Sequence, residues 1–170
     1  ESWLPELGKA GQDFSEAFDD EINITLLGRR MAEKLEEHGI QAISSDQDYP
    51  TTIEDYNWNF SYKYSLETVK EALASYSDLE YFFDIHRDAQ RWDKTTVEIN
   101  GENYAQVYFV IGHRNPNWEK NEAFAAKIHE RLEEDYPGIS RGIWGKNQQS
   151  GHGEYNQSVS PNSILIEVGG

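Results

Sequence analysis

A chain of 170 residues fits one globular domain better than two. Its 31 acidic residues against 15 basic ones give a net charge of -16, which repels phosphate backbones and anionic headgroups and excludes nucleic acid as a partner. The absence of Cys excludes disulfides, a cysteine nucleophile and thiolate metal sites. The mean hydropathy of -0.80 is low, but 5 Trp and 10 Tyr bring large apolar area and argue for a packed core. No apolar run approaches the ~18 residues of a membrane span, and no signal peptide is visible. The start at Glu1-Ser2-Trp3, without Met, reads as a fragment of a longer chain.

Residues 1–20 mix Pro, Gly, Asp and aromatics and read as loop. From Ile22 to His38, apolar residues at Ile24, Leu27, Met31 and Leu35 recur at helical spacing, and Gly39 is a helix stop. Ile40 to Ile43 then read as a short strand, and 44–64 as an ordered loop around Tyr56-Asn57-Trp58. Ser65 is placed to cap a second helix with Leu66, Val69, Leu73 and Tyr76 on its apolar face. Tyr81 to Ile85 reads as a buried strand, with His86-Arg87-Asp88 at its carboxyl end.

Thr95 to Ile99 and Tyr104 to Ile111 flank Asn100-Gly101 as a hairpin. A third amphipathic helix runs from Asn121 to Tyr136, ended by Pro137-Gly138. Residues 140–160, rich in Gly, Asn, Gln and Ser, read as loop, and Ile164 to Val168 as a last buried strand. The expectation is a mixed α/β domain with a mostly parallel central sheet, flanking helices and an inserted hairpin. In such sheets, sites gather at the carboxyl ends of strands, where His86 and Glu167 both stand.

Asp84-Ile85-His86-Arg87-Asp88 is the most informative string. His86 offers an imidazole nitrogen to a metal, and a nearby carboxylate can fix its tautomer. The alternative is a salt-bridge network closing a strand end. Glu167, in an apolar strand, suits a general base with a raised pKa, or else a rim carboxylate paired with Arg87 or Arg141. Asp19-Asp20-Glu21 precedes the first helix, where the helix dipole favours carboxylates in any case. His38 and His129 read as solvated, and His113 and His152 as loop residues.

Taken together, Glu1-Ser2-Trp3-Leu4-Pro5, Ile22 to Gly28, Asp84 to Asp88, Tyr155-Asn156-Gln157 and Ile164 to Gly170 resemble the stage II sporulation protein P family, in order and over essentially the whole chain. The resemblance implies a zinc-dependent N-acetylmuramoyl-L-alanine amidase, with endopeptidase action on peptide cross-links. It implies a membrane-anchored parent with its catalytic domain outside the cytoplasm. It also implies peptidoglycan glycan and stem peptide as substrate, and stage II sporulation protein D as a partner in thinning the septal wall for engulfment.

By motif, His86 matches the second zinc histidine of that group and Glu167 its catalytic glutamate. Asp20 falls where the third ligand belongs, although the wider group has Glu there. The first histidine, in a His-x-His string ending the first strand, is expected upstream of Glu1. Residues 1–170 are then a single amidase-like domain lacking its first strand and truncated at both ends. Arg87 is expected to assist in stabilising the oxyanion. Two rival readings stay open: a metal-free wall-binding or interaction domain of the same fold, and a carboxylate-pair glycosidase using Asp88 and Glu167.

Overall fold

The computed structural model describes residues 23–147 and 153–170. In chain order the elements are α1 (Thr25–Glu37), α2 (Tyr49–Thr52), a 3-10 turn at Trp58–Phe60, α3 (Ser61–Ser75), β1 (Tyr81–Arg87) and α4 (Trp92–Thr95). They continue as β2 (Thr96–Ile99), β3 (Glu102–Ala105), β4 (Val107–Gly112), α5 (Trp118–Asp135), β5 (Ser140–Lys146), a 3-10 turn at Gln157–Val159, and β6 (Asn162–Val168).

The central sheet has the order β1-β6-β4-β5. β1 pairs β6 in parallel and β4 pairs β5 in parallel, while β4 and β6 are antiparallel. The sheet is thus mixed and mostly parallel, as expected from the alternation of helices and strands. Its two faces differ because side chains alternate along each strand. One face carries Phe83, Phe109, Ile111, Ile143, Ile164 and Ile166 and packs under α5 through Ala125, Phe124, Ile128 and Leu132. α1 lies on this same face, with Leu27 and Met31 bordering a groove over Ile85, Val107, Ile166 and Val168. The other face carries Val110 and Leu165 beneath Tyr155 and Tyr62.

The hairpin forms as its turn dictates. Asn100 and Gly101 both take positive φ (55° and 86°), the conformation a two-residue turn of this hand requires. Its second strand, however, does not run on to Ile111. Gln106 divides it: β3 stays in the hairpin and β4 enters the central sheet. Gln106 is fixed at this break, its backbone N–H donating to Thr95 O and its side chain to Gly138 O.

Three further expectations change. Ile40 and Ile43 lie in no strand and are more than half exposed, so a short β-branched run without a pairing partner stays irregular. The second helix begins at Ser61 rather than Ser65, led in by the 3-10 turn at Trp58, and the Ser65 hydroxyl bonds back to Tyr62 O instead of capping. Ser140 to Lys146, read as loop, is strand β5. Gly142, at φ 92°, sits where the β4–β5 register shifts, so the glycines mark a bulge and not a loop.

The β4–β6 pairing ends at Val110↔Leu165. Beyond it the fully buried Gln157 takes over, donating from Nε2 to Val110 O and accepting from Gly112 N, each at 2.8 Å. Asn156 ties the same loop to α3, donating to Tyr62 O and to the Ser65 hydroxyl. One polar loop thereby joins the sheet to the helix that carries Tyr62.

Candidate active site

Alternation along β1 puts Asp84 and His86 on the face away from α1 and α5, and Ile85 and Arg87 on the face towards them. In the parallel β1–β6 register His86 stands beside Glu167. In the antiparallel β4–β6 register Tyr108 stands on the other side of Glu167. Neighbours in register share a face, so His86, Glu167 and Tyr108 form a row across three strands.

Within this row His86 Nε2 lies 3.0 Å from Asp84 Oδ1, so the imidazole is held by a carboxylate of its own strand. That bond occupies Nε2 and turns Nδ1 into the nitrogen with a free lone pair. The Tyr62 ring from α3 stacks over the imidazole at 6.5 Å between centroids and 14° between planes. Tyr62 in turn meets Tyr155 edge-on at 5.4 Å. Tyr62 and Tyr155 thus stand on the same face of the sheet as His86.

The electrostatics follow from this half-buried setting. Burial opposes protonation of His86, but the Asp84 hydrogen bond and the charges of Asp84 and Glu167 outweigh it and raise its pKa. Burial also raises the pKa of Glu167, helped by Asp88 and Asp84 and opposed by His86 and Lys146. Tyr62 is pushed up strongly, first by burial and then by the charges of Asp84, Tyr155 and Glu167, so its phenol stays protonated. The arrangement supplies a carboxyl group that holds its proton more tightly than an exposed one and an oriented imidazole beside it.

Asp88 is engaged elsewhere. It is buried in an ion pair with Arg141, and its Oδ1 accepts the Gln90 N–H at 2.8 Å, closing the turn after β1. The Arg141 guanidinium covers the Tyr108 ring at 4.9 Å. Arg141 is therefore Asp88's partner, and Glu167 is not tied down in an ion pair among the described residues.

Arg87 is not brought to His86 and Glu167. It follows alternation onto the opposite face and lines a groove with Ile24, Leu27 and Val168. Asp20, with Asp19 and Glu21, lies outside the described residues, as does His152. His113 lies at the far end of β4, paired with Glu122 at 3.1 Å and packed on Trp118. His129 meets the Ser140 hydroxyl, and His38 meets Lys34 O. Tyr62, Tyr155 and Lys146 also stand at the site. Tyr155 stood in a motif string, but nothing local in the sequence marks the other two.

A divalent metal would find His86 Nδ1 as a ready ligand, backed by Asp84 as an outer carboxylate. Among the described residues no group of three or more His, Cys, Asp or Glu side chains is placed to hold a metal ion. The imidazole thus fits a zinc ligand in chemistry and orientation, and a complete ligand set calls for further groups.

The family model for stage II sporulation protein P matches residues 1–170. The chain is also 38% identical over 172 residues to stage II sporulation protein P of Bacillus subtilis (strain 168). That alignment covers the whole of this chain and 43% of the relative, so the chain spans less than half the relative's length. No solved structure matches. With the family model matched from end to end and more than a third of residues identical to a curated relative, the chain belongs to the stage II sporulation protein P family.

Proposed function

We propose that this sporulation protein is a peptidoglycan hydrolase, a zinc-dependent N-acetylmuramoyl-L-alanine amidase with endopeptidase activity on cross-links. The observation that carries the reading is the His86–Glu167 pair. An oriented imidazole and a carboxyl group of raised pKa stand in register on one sheet face. This is the minimal equipment for amide hydrolysis at a metal: a ligand and a proton carrier.

In this reading zinc would be held by His86, together with Asp20 and a histidine upstream of Glu1. When bound, zinc supplies Lewis acidity towards water and the amide carbonyl. Asp84 keeps the His86 ring in the tautomer that can ligate. Glu167 takes a proton from the attacking water and returns it to the leaving amine nitrogen. Its pKa, raised by burial, favours the return of that proton. Tyr62 and Tyr155 line the site. Arg87 faces the α1 groove and takes no part in the proton transfers.

In this reading the exposed Trp58 contacts glycan or stem peptide. The biological setting we propose is septal wall thinning in engulfment. There the domain acts outside the cytoplasm as part of a membrane-anchored parent, beside stage II sporulation protein D. No helix of the described residues is long and apolar enough to cross a membrane.

Glu167→Gln tests the assignment, because it preserves shape and removes the proton carrier. Hydrolysis of purified cell wall by the full-length protein should fall at least ~100-fold while zinc content is unchanged. Full activity in that variant would overturn the role of Glu167. A second reading is a metal-free wall-binding domain of the same fold. It predicts no zinc in the full-length protein by metal analysis, and wall binding that survives a chelator.

A further inference from the structure

Lys146 ends β5, two strands away from Glu167, yet its side chain does not point away from the site. Register puts Trp144 beside Val110 and Val110 beside Leu165, so Trp144 and Lys146 occupy the same face as His86 and Glu167. The Lys146 ammonium lies 4.3 Å from the centroid of the Trp144 ring and 6.0 Å from that of Tyr155. It is held between two aromatic faces, a setting that fixes a flexible cation by cation–π attraction. Trp144 is itself stacked on Tyr108 at 6.1 Å and 17°, and Tyr108 is Glu167's neighbour in register. The aromatic row Trp144–Tyr108 therefore runs from the ammonium to the reacting carboxyl. Among the described residues no carboxylate forms an ion pair with Lys146, although the protein carries 31 acidic residues. Its field reaches both His86 and Glu167, so the ammonium lies within electrostatic range of the reaction centre.

We infer that Lys146, clamped between Trp144 and Tyr155, is the subsite that receives a carboxylate of the substrate's peptide. The inference rests on the reading of His86–Glu167 as the centre of peptide amide hydrolysis, and it names a specificity residue for it. A peptide bound at this site would run along the Trp144–Tyr108 row, since Val110 and Leu165 are buried beneath Tyr155 and Tyr62. Its scissile amide would lie at Glu167 and its carboxylate at the ammonium. The ion pair forms in a partly desolvated aromatic setting, where a charge-assisted hydrogen bond is stronger than on open surface. In a protein of net charge -16, an ammonium at the site also selects where an anionic ligand can settle.

The test uses the full-length protein and matched synthetic muramoyl tripeptides. In one the glutamyl α-carboxylate is amidated, in another the C-terminal carboxylate, and in a third both are free. Binding is measured by calorimetry and hydrolysis by release of peptide. For the native protein, amidation at one of the two positions should weaken binding about tenfold. Lys146→Met, which keeps an apolar stem between the rings, should bind all three ligands alike, and Lys146→Arg should restore most of the preference. In hydrolysis by the native protein, the loss on amidation should appear as a raised KM. Equal binding of the three ligands by the native protein, or an undiminished preference in Lys146→Met, overturns the subsite. Binding is read independently of turnover. A preference that depends on Lys146 without any hydrolysis would retain the subsite and overturn only the amidase reading.

Discussion

A carboxyl group near the end of an apolar strand must be compensated. At Glu167 burial and the neighbouring acids raise its pKa, and the charges of His86 and Lys146 limit the rise. Asp84 acts differently. Its oxygen is 3.0 Å from His86 Nε2 and so decides which imidazole nitrogen is left for a ligand. Asp84→Asn keeps a hydrogen-bond acceptor but removes the charge that makes the ring a stronger donor to a metal. Outer carboxylates of this kind are worth about 10- to 100-fold in metal affinity or activity. The variant of the full-length protein is expected to lose zinc affinity in equilibrium dialysis by that factor, with hydrolysis falling in parallel. Unchanged affinity would separate Asp84 from any metal role. The sequence displayed His86 and Glu167 as candidates because polar residues at strand ends stand out against an apolar run. It could not display Lys146, Tyr62 or Tyr155 beside them. Those reach the site through register and through a loop, over separations of 94 residues between Tyr62 and Asn156 and more than 20 between Lys146 and Glu167.

At the scale of elements, what could be read depended on whether a segment's structure is set locally. β1, β6, the Asn100-Gly101 turn and the long helix α5 carry local signals: an apolar run, two residues suited to positive φ, and a helical period. β5 lacks such a signal. Ser-Arg-Gly-Ile-Trp-Gly-Lys becomes a strand because β4 offers it an edge, while Ile40 to Ile43, better in composition, has none. The approach to β5 is secured by Glu133 on α5, whose carboxylate accepts the backbone N–H groups of Gly138 and Ser140 at 2.9 and 2.8 Å. These bonds favour the ionised form, and the Gly138 and Ser140 N–H groups lower its pKa most. A carboxylate lowered in the folded state contributes stability above its unfolded pKa and loses it as pH falls through the folded value. Glu133→Gln should therefore lower Tm at pH 7, by a loss of about 1 kcal/mol or less given the solvent exposure of the site. The difference from the native protein should shrink towards pH 3. Thermal melts across that range check it, and a deficit that does not vary with pH would refute the charge-based account.

For the whole molecule the dominant property is a net charge of -16 spread over a chain whose proposed substrate is also anionic. Two effects of opposite sign then act on encounter. Lys146 attracts a substrate carboxylate over a few ångströms, whereas the summed negative charge repels the same substrate at distance. Screening separates them, because the Debye length falls from about 30 Å at 0.01 M to about 8 Å at 0.15 M salt. Over that range the long-range repulsion is largely removed, while a contact pair between aromatic rings is screened much less. Hydrolysis of soluble, carboxylate-bearing wall fragments should therefore become faster with added salt, with kcat/KM rising severalfold between those ionic strengths and kcat nearly constant. Fragments with every carboxylate amidated should show a flat response, since a neutral ligand feels neither term. The reverse dependence, a kcat/KM that falls steadily with salt for the anionic fragments, would mean that local cations outweigh the global charge. It would place the controlling electrostatics in the immediate surroundings of Lys146 and Arg141 rather than in the acidic surface as a whole.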